Sequence, residues 1–266
     1  SCYPSIIVIG QILNALKSGR YDPAKTSIMM SQTGGPCRAS NYLSLLRKAL
    51  QATGFDNIPI ISLNVAGLEK NPGFRITWSM FNKAIMAMIY GDILLNVLHR
   101  VRPYEIVPGT AEKLLKKWMV RCKENVYTGQ RRIFRENLKG IVEDFSAVEI
   151  SRERKPRVGL VGEILVKYHP AANNNMADFV EKAGAEMMVP GLTEFFLYCA
   201  SGREFENRYL AGSKVNSLLG NLFIRQVESY RNDMRLALQS SSRFHVPPTI
   251  SEMAESIKFI LSLGNH

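Results

Sequence analysis

The chain has few cysteines and none of the paired cysteine motifs that form local metal sites. Its 266 residues include four cysteines, at positions 2, 37, 122 and 199, without a CxxC pair. This spacing excludes the common zinc motifs, and disulfides are not expected in a cytosolic chain of this size. A metal cluster assembled from distant loops stays possible.

Several other signatures are missing. No stretch approaches the ~20 uninterrupted apolar residues that span a bilayer, and the chain opens on SCYPS without a basic, apolar leader. The phosphate-binding patterns GxxxxGK(S/T) and GxGxxG are absent, so no ATP site is expected in this chain. We therefore expect a cytoplasmic protein without a membrane partner. The abrupt start and the final LSLGNH suggest an internal fragment of a larger protein.

The charge is strongly positive. The net charge of +11, from 34 Lys and Arg against 23 Asp and Glu, indicates an anionic partner. Nucleic acid, a membrane surface and a phosphorylated ligand such as a coenzyme all fit that description. The basic residues are spread widely, and no RNA-recognition, helix-turn-helix or zinc-finger motif is present, so nucleic acid is not expected.

Residues 26–50, TSIMMSQTGGPCRASNYLSLLRKAL, form the stretch around which the rest is organised. The pattern predicts a strand at 28–30, a polar turn at 31–35 and a helix that begins behind Pro36. Cys37 then falls in the first helical turn, where unpaired N–H groups and the helix dipole favour an anion, a phosphate or a thiolate. Cys37 is thus a candidate metal ligand or nucleophile. The alternative is a small, half-buried residue that packs the turn.

Cys2 has the same local setting, because it precedes a helix that is predicted to begin near Pro4 and to end at Gly19. An apolar run at 59–63 predicts a buried parallel strand, which gives helix, strand, helix, strand over the first 65 residues. Ligands of open α/β sheets bind at the carboxyl ends of the strands, and the spacing of Cys2 and Cys37 allows them to converge at that edge, which makes both candidate metal ligands. The candidate groups for binding substrate or anion at this edge are Gln32, Gly34, Gly35 and Arg38.

The middle of the chain changes to long helical patterns, at 78–99, 111–127 and 130–145. A methionine-rich stripe at residues 80–89 is interpreted as core packing rather than as a binding face. Cys122 lies on a basic helix and is a weak candidate ligand. Cys199, which ends an apolar run, is expected to be buried and inert.

A second α/β unit is predicted after the charged segment RERKP at 152–156. It consists of a strand at 157–166, a polar turn through residue 175, a helix at 176–182 and a strand at 185–189. Glu163 and His169 lie near one strand end and are candidates for acid–base work or anion binding. His169 equally fits a turn residue bonded to backbone.

These observations predict an α/β fold with two small parallel-sheet, Rossmann-like lobes, a helical insertion and a helical C-terminal part. The expected divisions are a first lobe at 1–72, the insertion at 73–151, and a second lobe with its helical extension at 152–266, incomplete at the C-terminus.

Four motifs occur in one order along the chain: CYPSIIVIGQ, MSQTGGPCRASNY, SLNVAGLEKNPGF and VGEILVKYHPAANN. With these motifs the chain resembles the acyl-CoA dehydratase activase-related family, which is similar to 2-hydroxyacyl-CoA dehydratase subunits. The resemblance implies a two-lobed α/β fold with a 4Fe-4S cluster held by cysteines between the lobes. Cys2 and Cys37 match the first two cluster cysteines, and the third would lie beyond His266.

The resemblance also implies a function and partners. In the dehydratase relatives, an ATP-driven activator reduces the cluster by one electron, and a ketyl radical then lets water leave a 2-hydroxyacyl-CoA. The implied partners are acyl-CoA and the other domains of the same larger protein, including an ATP-binding activase domain. The expected function is an iron–sulfur redox component, either a lyase or a reductase component if it is an enzyme. The alternative is a non-enzymatic docking or CoA-binding module without its own cluster.

Overall fold

The computed structural model describes residues 2–32, 37–64, 74–209 and 212–260. The chain forms two compact units, Ser1–Ile76 and Thr77–His266, which we call the N-terminal unit and the C-terminal unit. The turn residues Gly34 and Gly35 and most of the SLNVAGLEKNPGF motif lie outside the described residues.

The N-terminal unit alternates helices with strands, as the sequence predicts. Its elements are α1 (Tyr3–Lys17), β1 (Ile28–Gln32), α2 (Tyr42–Ala52) and β2 (Ile60–Asn64), with short 3-10 helices at Pro23–Lys25 and Arg38–Asn41. The two strands are parallel, with Ile28 opposite Ile60 and Gln32 opposite Asn64. Gly54, in the left-handed region with φ of 76°, follows the end of α2.

One boundary in this unit differs from the prediction. Cys37 does not lie in a helical turn, because its backbone is extended, with φ of −63° and ψ of 140°. It precedes the 3-10 helix Arg38–Asn41, and α2 begins only at Tyr42. The segment predicted as the first turn of the helix therefore forms a separate short 3-10 helix.

The core of the N-terminal unit is small and lies between the helices and the sheet. Its buried members are Leu16, Ile28, Met30, Leu43, Leu46, Leu50 and Ile58. The face of α2 that is buried carries Leu43, Leu46 and Leu50, whereas Leu45 is 37% exposed. Helix α2 is thus amphipathic, with its apolar face toward the core.

The C-terminal unit is mostly helical. Its elements are α3 (Trp78–Val101), α4 (Thr110–Thr128), α5 (Arg131–Ser146), β3 (Arg157–Gly159), α6 (Ile164–Tyr168), α7 (Met176–Lys182), β4 (Glu186–Met188), α8 (Leu192–Tyr209), α9 (Lys214–Gln239) and α10 (Ile250–Ile257), with a 3-10 turn at Arg102–Tyr104. Strands β3 and β4 pair in parallel. For the long helices predicted from apolar spacing, the observed ends lie within a few residues of the predicted ends.

The strand predicted at 157–166 is wrong over most of its length. Only residues 157–159 form β3, and residues 164–168 are helical. Gly162, with φ of 133°, breaks the extended run, and the Glu163 side chain accepts a hydrogen bond from Val166 N at 3.0 Å. This contact is a helix N-cap, so the local chemistry begins a helix where hydrophobicity alone predicted a strand.

A large helical core and a small separate cluster around Val180, Ala185 and Met187 lie in the described part of the C-terminal unit. The methionine-rich stripe is confirmed as core packing, since Ile85, Met86 and Ile89 are fully buried, although Met80 at its start is 43% exposed. Residues of α5 and α8, such as Phe134 and Leu197, belong to the same core. Helices from the expected insertion and from the expected second lobe therefore pack around a shared interior.

The segment Trp78–Tyr104 is long and apolar enough to cross a membrane by length and composition. Of its most apolar window, 61% is buried inside the protein, which is also typical of a core helix in a globular unit. The chain is thus a mixed α/β protein, and its described residues are mostly helical with two small parallel two-stranded sheets.

Candidate functional site

Cys2 is held at the start of α1 and beside the start of α2. The residue is half-buried, and its Sγ lies 3.3 Å from the Tyr42 hydroxyl. Its carbonyl accepts hydrogen bonds from Ser5 Oγ at 2.8 Å and from Ile6 N at 3.2 Å. The contact with Tyr42 joins two residues 40 positions apart and brings the Cys2 thiol to the N-terminal end of α2.

Cys37 precedes the N-terminal end of α2 in the sequence. It is exposed, its carbonyl accepts a hydrogen bond from Ser40 N at 3.1 Å, and the 3-10 helix that follows it runs directly into Tyr42. The Cys2 thiol thus contacts the first residue of α2, and Cys37 precedes that residue by five positions in the chain. We call the residues Cys2, Cys37, Arg38 and Tyr42 the cysteine edge.

Gln32 supports this region from the carboxyl end of β1. Its Nε2 donates to Ser40 O at 2.7 Å, and its Oε1 accepts from Ser62 Oγ at 3.0 Å. Gln32 and Ser62 are both buried. Since both ends of the Gln32 amide have protein partners, its observed role is to brace the segment after Cys37 against β2. Arg38, predicted to bind an anion, is exposed next to Cys37.

The remaining cysteines lie in the C-terminal unit. Cys122 is buried in α4, and burial raises the pKa of its thiol to about 12. Cys199 is exposed on α8, which corrects the expectation that it is buried. It lies two positions after the fully buried Leu197, and a step of two residues leads to the far side of a helix.

A complete iron–sulfur ligand set is not present in the part of the chain that the structure describes. A 4Fe-4S cluster is commonly held by four cysteine thiolates. The cysteine edge contributes two thiols, and no group of three His, Cys, Asp or Glu able to hold a metal occurs among the described residues. The residues present thus fit part of a ligand set, and by themselves they do not fit the whole cluster.

The predicted pair Glu163 and His169 lies at opposite ends of α6. Glu163 caps the helix start, and His169 Nδ1 accepts a hydrogen bond from Ala172 N at 3.3 Å. Nearby, the Asn173 amide donates to the carbonyls of Val166 and Lys167. Glu163 thus has the contacts of a helix cap, and His169 has those of a turn residue bonded to backbone.

Asp92 is a buried carboxylate that sequence reasoning missed. It lies on α3 and accepts hydrogen bonds from Leu192 N at 2.7 Å and Thr193 N at 3.0 Å, and from the Thr193 hydroxyl. Burial raises its pKa, and these hydrogen bonds offset only part of that effect. A Cβ at Gly191 would lie 2.8 Å from Asp92 Oδ2, so glycine is needed there for the carboxylate to reach the start of α8. The available sequence signal was a lone aspartate in an apolar helix.

Arg231, on α9, is fully buried. Its guanidinium lies 2.8 Å from Glu228 and 3.5 Å from Glu194, and it donates to Pro248 O at 3.1 Å. Burial raises the pKa of Glu194, although attraction to Arg231 acts in the opposite direction. The observed contacts fix the segment before α10 against α9.

Glu186, in β4, forms a further charged cluster. It is 5% exposed, and it accepts a hydrogen bond from Arg100 and another from the Tyr104 hydroxyl at 2.7 Å. Arg157 Nε lies 3.3 Å from its other oxygen. Two cavities, of about 400 and 520 Å³, border this cluster.

Comparisons of the chain with protein-family models, with curated proteins and with solved structures find no match.

Proposed function

We propose that this chain is an iron–sulfur redox component related to 2-hydroxyacyl-CoA dehydratases and their activases. It would take part in ATP-driven, low-potential electron transfer to a CoA thioester, with two Rossmann-like lobes and a cytoplasmic location. Cys2 and Cys37 are its candidate thiolate ligands. The observation that carries the proposal is the contact of Cys2 Sγ with Tyr42 at 3.3 Å, since Tyr42 begins the helix that Cys37 approaches.

The chemistry of the cysteine edge supports this assignment. Thiolates are the usual ligands of iron–sulfur clusters, and hydrogen bonds to the sulfurs tune their reduction potentials. The Tyr42 hydroxyl is placed for such a bond to Cys2. The exposed Arg38 beside Cys37 would balance negative charge. The other ligands would come from outside the described residues, and a bound 4Fe-4S cluster would supply one-electron chemistry at low potential.

The first test asks whether the two thiols bind one metal ion. The chain is titrated anaerobically with Co²⁺, whose thiolate charge-transfer absorption reports sulfur ligation. We expect that absorption in the wild type, and its loss in both Cys2→Ser and Cys37→Ser. Cys199→Ser is the matched control, because it removes an exposed thiol from the C-terminal unit. A wild-type chain without this absorption, or a Cys37→Ser variant that retains it, contradicts the proposal.

The second test is reconstitution with iron and sulfide under anaerobic conditions, followed by iron counting and EPR. Iron bound per chain should fall in Cys2→Ser and Cys37→Ser and stay unchanged in Cys199→Ser. Unchanged iron content in Cys37→Ser would count against the cluster.

A non-enzymatic docking or acyl-CoA-binding module without its own cluster is the second candidate. It is favoured by the incomplete ligand set among the described residues and by the net charge of +11. Calorimetric titration with an acyl-CoA separates the two candidates. Heat of binding in a chain that takes up no iron supports the module, and iron loading without heat eliminates it.

A further inference from the structure

The segment that leads into β3 borders a polar cavity of about 520 Å³. Its cationic lining residues are Arg100, Arg152, Arg154, Lys155 and Arg157. Among the described residues, two carboxylates, Glu153 and Glu186, line the same space. We call this cavity the outer chamber, and its lining leaves an excess of three positive charges.

The two carboxylates are already engaged with part of this charge. Glu186 is shared between Arg100 and Arg157, and Glu153 lies 3.7 Å from Lys155 Nζ. Arg152 and Arg154 are exposed, and within the described ranges no carboxylate forms an ion pair with either. The outer chamber therefore contains two guanidinium groups whose charge the described side chains do not neutralise.

A second cavity, of about 400 Å³, adjoins the first. The two cavities share Arg100, Arg157 and Glu186 as lining residues. The second cavity, which we call the inner chamber, is also lined by apolar side chains, among them Met187, Met188, Met234, Phe244 and Met253. A cationic chamber thus borders a chamber with an apolar wall.

We infer that the two chambers bind a soluble phosphate monoester with an apolar tail. A phosphate monoester carries a charge of about −1.5 to −2 at neutral pH, which matches the excess in the outer chamber better than a single carboxylate does. Guanidinium groups bind phosphate oxygens through paired, charge-assisted hydrogen bonds. The apolar tail would cover the exposed parts of Met188 and Met253 in the inner chamber and so remove them from water. This site uses none of the cysteines, so it does not depend on the cluster proposal.

The test is calorimetric titration at low ionic strength with three probes: inorganic phosphate, hexyl phosphate and hexanol. We expect hexyl phosphate to bind at least tenfold more tightly than inorganic phosphate, because each fully buried methylene contributes a factor of about four. Hexanol, which lacks the anion, should bind more weakly than hexyl phosphate by at least tenfold. Absence of binding by hexyl phosphate overturns the inference, as does equal affinity for hexyl phosphate and hexanol.

Variants locate the two halves of the ligand. The double variant Arg152→Gln, Arg154→Gln should weaken inorganic phosphate and hexyl phosphate alike, by at least fivefold. Arg132→Gln, Lys139→Gln on α5 is the matched control, because it removes two exposed positive charges away from the chambers. An equal loss in the control would show nonspecific charge attraction and overturn the site.

Met188→Asn tests the inner chamber without a change of charge, at a side chain that is 49% exposed. The ratio of hexyl phosphate to inorganic phosphate affinity should fall at least threefold, while inorganic phosphate binding stays the same. An unchanged ratio would place the tail elsewhere and contradict the two-chamber assignment.

Discussion

The two units differ in how many charged side chains they bury. The N-terminal unit presents Cys37 to solvent and leaves Cys2 half-buried, and its core is small, with seven buried apolar residues among those described. The C-terminal unit encloses Asp92, Glu186 and Arg231 within its packing and surrounds each with several partners. The candidate redox chemistry thus lies in the small unit, whereas the buried charges of the large unit hold its helices in place.

The free-energy cost of burying a charge explains why the buried charged side chains of the C-terminal unit have several protein partners. Removing a charge from water costs several kcal/mol unless ion pairs and hydrogen bonds replace its hydration. Asp92 accepts three hydrogen bonds, and Arg231 contacts two glutamates and one carbonyl. Charged groups with so many protein partners are suited to stabilising the fold. The Cys2 thiol, with its single hydrogen-bond contact to Tyr42, is better placed to bind an external ligand.

The largest expected contrast is in the reactivity of the thiols. In the folded chain at pH 8, we expect iodoacetamide to modify Cys37 at least a thousandfold faster than Cys122. Cys122 is 5% exposed, and a thiol whose pKa is about 12 is ionised to only about one part in ten thousand at that pH. Mass spectrometry of the labelled peptides measures both rates, with the exposed Cys199 as an internal control. Labelling of Cys122 within tenfold of Cys37 would contradict the expected contrast between the buried and the exposed thiol.

Removal of the Asp92 carboxylate should give the largest loss of stability. Asp92→Ala leaves two backbone N–H groups and the Thr193 hydroxyl without their acceptor, which should lower the free energy of unfolding by about 4 kcal/mol. Asp92→Asn keeps one oxygen acceptor and should cost about half as much. Urea denaturation followed by circular dichroism checks both values. A loss below about 1 kcal/mol in Asp92→Ala would show that the cap contributes little.

Glu181 gives a smaller effect with a distinct pH dependence. Its carboxylate is bound by Arg102 Nε at 2.7 Å and Arg102 Nη2 at 2.9 Å, and lies 3.4 Å from His99 Nδ1. Burial alone would raise the pKa of Glu181, but the hydrogen bonds from His99 and Arg102 prevail and lower it below 4.5. The stability that this carboxylate contributes is therefore present above pH 4.5 and is lost as the pH falls through the lowered value.

Glu181→Gln should accordingly cost about 2 kcal/mol at pH 7 and progressively less as the pH falls below 4.5. The pH dependence that Asp92 contributes is opposite. Because its pKa is raised from 3.8, ionisation of Asp92 lowers the free energy of unfolding as the pH rises above 3.8. Urea unfolding at pH 7, 5 and 3 measures both slopes. Glu136→Gln, at a 60% exposed side chain on α5, serves as a control, with an expected change within about 0.5 kcal/mol. A Glu181→Gln penalty that does not vary with pH would exclude the assigned cause.

Much of the helical structure was predictable, because it depends on local patterns. The apolar spacing of residues 78–99 locates α3, and the observed helix extends only to Val101. The parallel pairing of β1 with β2 follows from a helix of suitable length between two apolar runs. Glycines in the left-handed region mark the ends of α2 and α7, at Gly54 and Gly184.

The missed features depend on partners that are distant in sequence. Asp92 caps a helix that begins 100 residues later, and no local pattern predicts that contact. The contact between Cys2 and Tyr42 is also long-range. The sequence predicted that Cys2 precedes the start of α1, but it did not predict the contact of the Cys2 thiol with Tyr42. Cys199 was assigned from the usual burial of cysteines, and its exposure depends on which face of α8 meets the core.

Tyr42→Phe has the smallest expected effect and tests the cysteine edge most directly. It removes only the hydroxyl that lies 3.3 Å from Cys2 Sγ, so the free energy of unfolding should fall by about 0.5 kcal/mol. Loss of the covering hydroxyl should also speed the labelling of Cys2 about threefold and leave the rate of the exposed Cys37 unchanged. Tyr21→Phe, at a 53% exposed tyrosine, is the control and should change neither rate. A Tyr42→Phe variant in which Cys2 labelling is unaltered would show that Tyr42 does not hold the Cys2 thiol, and the two cysteines would then lose the contact that places Cys2 at the start of α2.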